Sequence, residues 1–133
     1  MRGASFFDTN ILVYFAIQHA PRANRAAELI ENGGTINVQV LNEFANVTRG
    51  KMRMTWEETN DTLQFVRELL DVEPLTVEVH ERAIFLAEHH NFHIYDAMIV
   101  AVAIEAGCST LYTEDMHHGM LVEGRLRIVN PFA

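Results

Sequence analysis

Short apolar runs alternate with longer amphipathic stretches along this chain, and the alternation predicts strands followed by helices. Ala4–Phe7 (ASFF) is a short apolar run ended by Asp8, which suits a buried strand. Thr9 or Asn10 can cap the helix that follows, whose apolar positions are Ile11, Leu12, Tyr14 and Phe15. Pro21 opens a second helix, roughly Arg22 to Glu31, and Gly33 and Gly34 stop it. Thr35–Val38 reads as a second strand, and a helix from about Gln39 to Arg49 puts Val40, Phe44 and Val47 on one face. Thr55 starts the next helix with Glu58 at capping-box spacing, and Leu63, Val66 and Leu70 face inward. Val72–Leu75 is a weak strand, which Pro74 confines to a sheet edge because proline cannot donate to a ladder. A helix over about Val77 to His90 follows. The segment from Asp96 to Ala106 is apolar nearly all round, through Met98, Ile99, Val100, Val102 and Ile104, which marks a central buried helix. Ser109–Thr113 is a strand, and RIVNPF (127–132) contains a last one. The stretch after Gly119 leaves room for one strand or two.

Strands and helices in this alternation imply an α/β fold: a mostly parallel central sheet flanked by helices on both faces. In such sheets, ligands bind outside the carboxyl ends of the strands. The 133 residues suit one domain over 1–133, with no internal repeat and no proline- or serine-rich linker. Hydrophobic residues make up 49%, enough for a core. No stretch has the roughly 18 consecutive apolar residues that span a bilayer, so no membrane partner is expected. The lone cysteine, Cys108, excludes an internal disulfide and reads as a small core residue. Asp8 and Asn10 interrupt the first apolar stretch too early for an export signal, and a reducing cytoplasm is the expected location.

The formal net charge is −8, which argues against a protein that coats nucleic acid nonspecifically through a basic surface. It leaves a nuclease open, because four acids follow or open apolar segments and so should be buried. They are Asp8 in FFDTNILVY, Glu43 in VQVLNEFANV, Asp96 in YDAMIVAVAIEAG and Asp115 in STLYTEDMHHG. An unpartnered buried carboxylate costs roughly several kcal/mol. Two of them about 4 Å apart repel by roughly 4 kcal/mol at an effective dielectric of about 20, and a divalent cation between them reverses the sign. The four therefore read as an oxygen-only metal site, suited to Mg²⁺ or Mn²⁺ rather than Zn²⁺.

Taken together, FFDTNILVY, LNEF, YDAMIVAVA and LYTED resemble, in order, spacing and context, the PIN-domain ribonucleases, and most of all the VapC-type toxins of toxin–antitoxin pairs. The resemblance extends over essentially the whole chain. It implies a PIN-like fold and a Mg²⁺- or Mn²⁺-dependent endoribonuclease acting on RNA. It implies that Asp8, Glu43, Asp96 and Asp115 are the metal-binding catalytic acids, with Asn10 and Thr113 as supporting polar positions. It also implies a homodimer restrained by a cognate antitoxin. In-line hydrolysis of a phosphodiester fits the chemistry, with Asp8 and Asp96 as the direct ligands.

Plainer readings exist for each residue. Asp8 and Asp96 can be helix N-caps, Glu43 a solvated helix residue and Asp115 a turn residue. His89, His90, His93, His117 and His118 offer a rival metal set, although adjacent helical histidines point in different directions. Arg22, Arg25, Arg49, Lys51 and Arg53 can grip RNA phosphates or line a solvated surface. Met52, Met54 and Trp56 read more readily as core than as a contact surface. Other chemistries are excluded. A haloacid-dehalogenase phosphatase needs Asp where Asn10 stands, and a receiver domain needs a lysine at a late strand end, whereas Lys51 is the only lysine. A PIN nuclease of RNA maturation without an antitoxin, and a PIN module that binds without cutting, are the alternative functions.

Overall fold

Phe6 and Phe7 are both fully buried although neighbouring strand residues point to opposite faces, so their strand is covered on both sides. In this computed structural model, which describes residues 5–17 and 21–133, that strand is β1 (Ser5–Phe7). Ala4, expected to begin it, lies outside the described residues. The chain continues through α1 (Thr9–Ile17), α2 (Arg22–Glu31), β2 (Thr35–Asn37), α3 (Val38–Arg49), α4 (Trp56–Leu69), β3 (Asp71–Glu73), α5 (Val77–His90), α6 (Ile94–Glu105), β4 (Thr110–Tyr112), β5 (Leu121–Val122) and β6 (Leu126–Val129).

The strands form one sheet in the order β3-β2-β1-β4-β6-β5, parallel throughout except for the antiparallel β5–β6 pair at one edge. From β1 the chain builds outward to β2 and β3 on one side and later to β4 and β6 on the other. The order reverses between β1 and β4, which is where an α/β sheet opens its ligand crevice. Helix α6 packs on β2, β4 and β6 and pairs with α5, while α1 packs against α2 and α3, and α3 against α4. The seven buried residues of α6, Ala97 and Ile99 to Ile104 among them, explain why its sequence is apolar all round.

Local signals account for most boundaries. The Thr55–Glu58 capping box is formed in full, with Glu58 N–H donating to Thr55 Oγ1 at 3.0 Å and Thr55 N–H to Glu58 Oε1 at 2.8 Å. Asn37 caps α3 by accepting from Val40 N–H at 2.9 Å. Three expectations shift. Strand β3 ends before Pro74, so it covers Asp71–Glu73 at the sheet edge rather than Val72–Leu75. Helix α6 begins at Ile94, so Asp96 lies in its first turn and is not its N-cap. Trp56 is 63% exposed with the Arg49 guanidinium 4.2 Å from its ring centroid, and does not join the core.

Gly34 permits the approach of β2 to β1. A Cβ there would stand 2.6 Å from Phe7 Cε2 and 2.9 Å from Ser5 O, and the residue has φ +156°. Gly34→Ala should therefore lower unfolding stability by about 2 kcal/mol or more, through overpacking against backbone that cannot yield. Urea denaturation checks this; a midpoint unchanged from wild type refutes it.

Candidate active site

Asp8 directly follows β1, and Thr113 directly follows β4, so the two adjacent parallel strands deliver both residues to the same crevice. The ladder continues one step past each strand: Asp8 N–H donates to Tyr112 O at 3.0 Å and Thr113 N–H to Val129 O at 3.0 Å. Asp8 is 7% exposed and Thr113 is fully buried. Thr113 Oγ1 donates to Asp8 Oδ2 at 2.8 Å, while Thr9 N–H donates to Asp8 Oδ1 at 2.7 Å. Asp8, not Thr9 or Asn10, thus makes the side-chain contact at the start of α1. The Thr9 bond is to the first helical N–H rather than to the second or third as in an N-cap, and the other carboxyl oxygen meets Thr113.

Glu43 arrives from α3. Its Oε1 accepts from Thr9 Oγ1 at 2.6 Å and its Oε2 from Gln39 Nε2 at 3.2 Å. Asn10, one residue along α1, donates through Nδ2 to Asp115 Oδ2 at 3.0 Å and to Thr113 Oγ1 at 3.3 Å. The Thr113 hydroxyl also accepts from Asp115 N–H at 3.1 Å, so it links the first and last acids.

The electrostatics tie the four acids together. Burial pushes the Asp8 carboxyl up to about 6; the hydrogen bonds from Thr113 and Thr9 pull it down, and the charges of Glu43 and Asp96 push it up again. Asp96 is also raised, first by burial; His93 opposes this, and Asp115 and Glu43 reinforce it. Asp8 feels Glu43 and Asp96, and Asp96 feels Glu43 and Asp115. Carboxylates separated by 19 to 88 positions in the chain are brought within coulombic reach of each other.

Their burial differs from expectation. Asp8 is buried, Glu43 and Asp96 are half-buried, and Asp115 is exposed. Polar partners explain the difference: a crevice rim lets water and Asn10 solvate Asp115, so its apolar strand does not carry it into the core. Among the described residues, no three carboxylate, imidazole or thiol groups are gathered tightly enough to enclose a metal ion. Several of the histidines are engaged in other contacts. His89 stacks on Phe85 at 4.0 Å, His90 Nε2 meets Glu123 at 2.8 Å, and His118 Nδ1 accepts from Asn130 N–H at 2.8 Å. For the acids, the donor chemistry is the fit: oxygen-only carboxylates that raise one another's pKa suit a hard divalent cation, which would offset their mutual repulsion. Cys108 stands outside this chemistry, its thiol pushed by burial up to about 11.

The expected basic residues divide. Arg22 is bound to Glu114 at 2.6 Å, next to Asp115 in the chain, and Arg25 pairs with Glu28 at 3.4 Å. Arg49 donates to Met54 O at 2.7 Å and stacks on Trp56, while Lys51 and Arg53 are exposed in the loop beyond α3. The residues missed in the sequence are Thr9, Gln39, Tyr14 and Glu114. Gln39 stands four residues before Glu43, a helical spacing that foretells contact. Nothing local foretells the others.

Carboxylates gathered near the topological switch point of a mostly parallel α/β sheet define an acid-lined crevice. Residues 5–118 match the PIN domain family model, and the chain belongs to the PIN domain family. Among solved structures, a toxin–antitoxin complex from Klebsiella pneumoniae superposes with a TM-score of 0.73 at 18% identity, covering 96% of this chain and 97% of that one. VapC20 of Mycobacterium tuberculosis, a sarcin–ricin loop cleaving toxin, gives 0.68 at 19% identity over 84% of this chain and 89% of its own. VapBC2 of Rickettsia felis, bound to a DNA fragment from its promoter, gives 0.59 at 21% identity over 86% and 89%. At these identities the likeness is one of fold. No curated protein matches the chain in sequence.

Proposed function

We propose that this protein is a Mg²⁺- or Mn²⁺-dependent endoribonuclease and the toxin half of a toxin–antitoxin pair. The observation that carries the reading is the meeting of Asp8, Glu43, Asp96 and Asp115 at the switch point of a PIN-family sheet. Asp8 and Asp96 would hold the ion, with Glu43 and Asp115 completing its surroundings. The ion would supply Lewis-acid stabilisation of charge on the scissile phosphodiester. An uncompensated acidic crevice repels a phosphodiester, so the negative charge that discourages RNA binding elsewhere is functional here only with a cation. Thr113, Thr9, Gln39 and Asn10 orient the acids through the hydrogen bonds described above. Half-buried Glu43 and exposed Asp115 leave room for a water and an RNA strand to enter from the rim.

Arg49, Lys51 and Arg53 would meet the RNA backbone beyond the site. Arg49 stands six residues past Glu43 on α3, about 9 Å along the helix at roughly 1.5 Å per residue. Arg25 on α2 would act on the other side, whereas Arg22 is committed to Glu114. The toxin assignment draws support from the fold shared with the Klebsiella complex and VapC20. We extend it to a homodimer, for which Val77, Ile84, Phe85, Ile94 and Tyr95 on α5 and α6 supply exposed apolar surface.

The test is incubation of purified protein with RNA and Mg²⁺. Wild type should cut, EDTA should stop it, and Asp96→Asn should slow it by about 100-fold or more. Lys51→Ala with Arg53→Ala should raise KM and leave kcat near wild type. Equal cutting by wild type and Asp96→Asn, or indifference to EDTA, ends the nuclease reading in favour of a PIN module that only binds. Cleavage without any growth arrest on expression, or arrest not relieved by the neighbouring reading frame, leaves a maturation nuclease instead of a toxin. Sedimentation at micromolar concentration decides the dimer.

A further inference from the structure

The loop after β4 is held from two sides, and only one of them involves the acids. On the site side, Asn10 Oδ1 accepts from Glu114 N–H at 3.3 Å while its Nδ2 donates to Asp115. On the far side, the Glu114 side chain turns away from the crevice toward α1 and α2. Tyr14 Oη donates to Glu114 Oε1 at 2.9 Å and approaches Oε2 at 3.2 Å, and Arg22 Nη1 donates to Oε2 at 2.6 Å and to Tyr14 Oη at 2.7 Å. The guanidinium carbon lies 5.2 Å from the Tyr14 ring centroid and 5.1 Å from that of Phe132, and the two rings meet edge to face at 5.0 Å. Helices α1 and α2 therefore close on one carboxylate that neighbours Asp115, and Phe132 of the C-terminal segment packs against both of its partners.

We infer that Glu114, gripped by Tyr14 and Arg22, is a positioning residue that fixes the Thr113–Asp115 turn and so sets where Asp115 faces the other acids. This rests on the metal-site reading proposed above and adds residues to it that carry none of its chemistry. The chain bends at 114–116, and there Thr113 and Asp115 contact Asp8 and Asn10 while Glu114 between them contacts Tyr14 and Arg22. Anchoring Glu114 outward thus directs Thr113 and Asp115 inward. Asp115 needs such help because it is exposed and its own hydrogen bonds are to Asn10 and to Thr113. The grip is charge-assisted and shared by a hydroxyl, and the guanidinium lies against both the Tyr14 and Phe132 rings, which restricts it more than a simple surface ion pair. Partners of this kind behind metal-binding carboxylates typically alter metal affinity by about 10–100-fold.

The experiment compares Glu114→Gln, Tyr14→Phe and Arg22→Gln with wild type by amide hydrogen exchange at residues 113–115 and by calorimetric Mn²⁺ titration. Glu114→Gln and Arg22→Gln should speed exchange at these amides and weaken Mn²⁺ binding by about 10-fold or more, and Tyr14→Phe by less. The doubly exchanged variant, Arg22→Glu with Glu114→Arg, should recover part of both, since the pair is re-formed in reverse. Unchanged exchange in Glu114→Gln overturns the inference whatever the metal does. Faster exchange with Mn²⁺ affinity equal to wild type also overturns it, since the grip would then be structural only. Faster exchange in a wild-type background that binds no Mn²⁺ leaves the grip standing and removes the metal site itself. Thermal unfolding of each variant shows that the fold survives, as expected for the exposed Arg22 and half-buried Glu114.

Discussion

Asp8→Asn is expected to abolish RNA cleavage while making the metal-free protein more stable at pH 7. The two effects share one cause. Burial raises the Asp8 carboxyl from its ordinary 3.8 to about 6. Between those values the folded chain keeps a proton that the unfolded chain has released, so stability falls as pH rises through this window and stays low above it. At about 1.36 kcal/mol per pKa unit, the charged side chain costs up to roughly 3 kcal/mol at pH 7. Asparagine removes the charge. It can still accept one of the two hydrogen bonds from Thr9 and Thr113 but not both, which returns about 1 kcal/mol. A net gain of about 1–2 kcal/mol at pH 7 follows, vanishing below about pH 4, where aspartic acid is neutral in both states. The same change removes a ligand from the site, and losing about 3 kcal/mol of transition-state stabilisation slows cleavage by roughly 100-fold or more. Calorimetry in EDTA at pH 7 and pH 4, beside a cleavage assay in Mg²⁺, reads both. A variant destabilised equally at the two pH values, or one that cleaves like wild type, contradicts the assignment.

Mn²⁺ should stabilise wild-type protein by about 2.7 kcal/mol at a concentration 100 times its dissociation constant. For a domain of this length that is roughly 10 °C in Tm. The stabilisation should grow from pH 5 to pH 7, because the ion competes with protons for Asp8 and Asp96, both of which hold their protons above the ordinary carboxylate range. Asp96→Asn should lose most of the shift; Glu105→Gln, on the same helix but paired with Arg82 on α5, should keep it. Thermal unfolding with and without Mn²⁺ at both pH values measures this. A shift of the same size in Asp96→Asn would mean that the ion binds elsewhere.

These two results depend on residues of different legibility. The four acids stand out in the sequence because each adjoins an apolar segment, and the hydrophobic periods locate the helices that carry Glu43 and Asp96. The Thr55 capping box and the stop at Gly33–Gly34 are local, and the folded chain keeps both. Pro74 was legible as an edge signal but not as the end of its strand, since the missing N–H matters only once a neighbour offers a carbonyl. Trp56 misleads for a related reason: its apolar ring reads as core material until a partner such as Arg49 covers it at the surface.

Sequence periodicity alone determined that this protein alternates buried strands with amphipathic helices and carries acids where they join, because hydrophobic burial and capping act over a few neighbouring residues. Only tertiary structure decided that Asp8 is buried while Asp115 meets solvent, that Thr9 holds Glu43, and that Glu114 turns away to Tyr14 and Arg22. Desolvation, coulombic coupling and hydrogen bonding depend on distances in space, and those distances exist only after the sheet has brought its strand ends together.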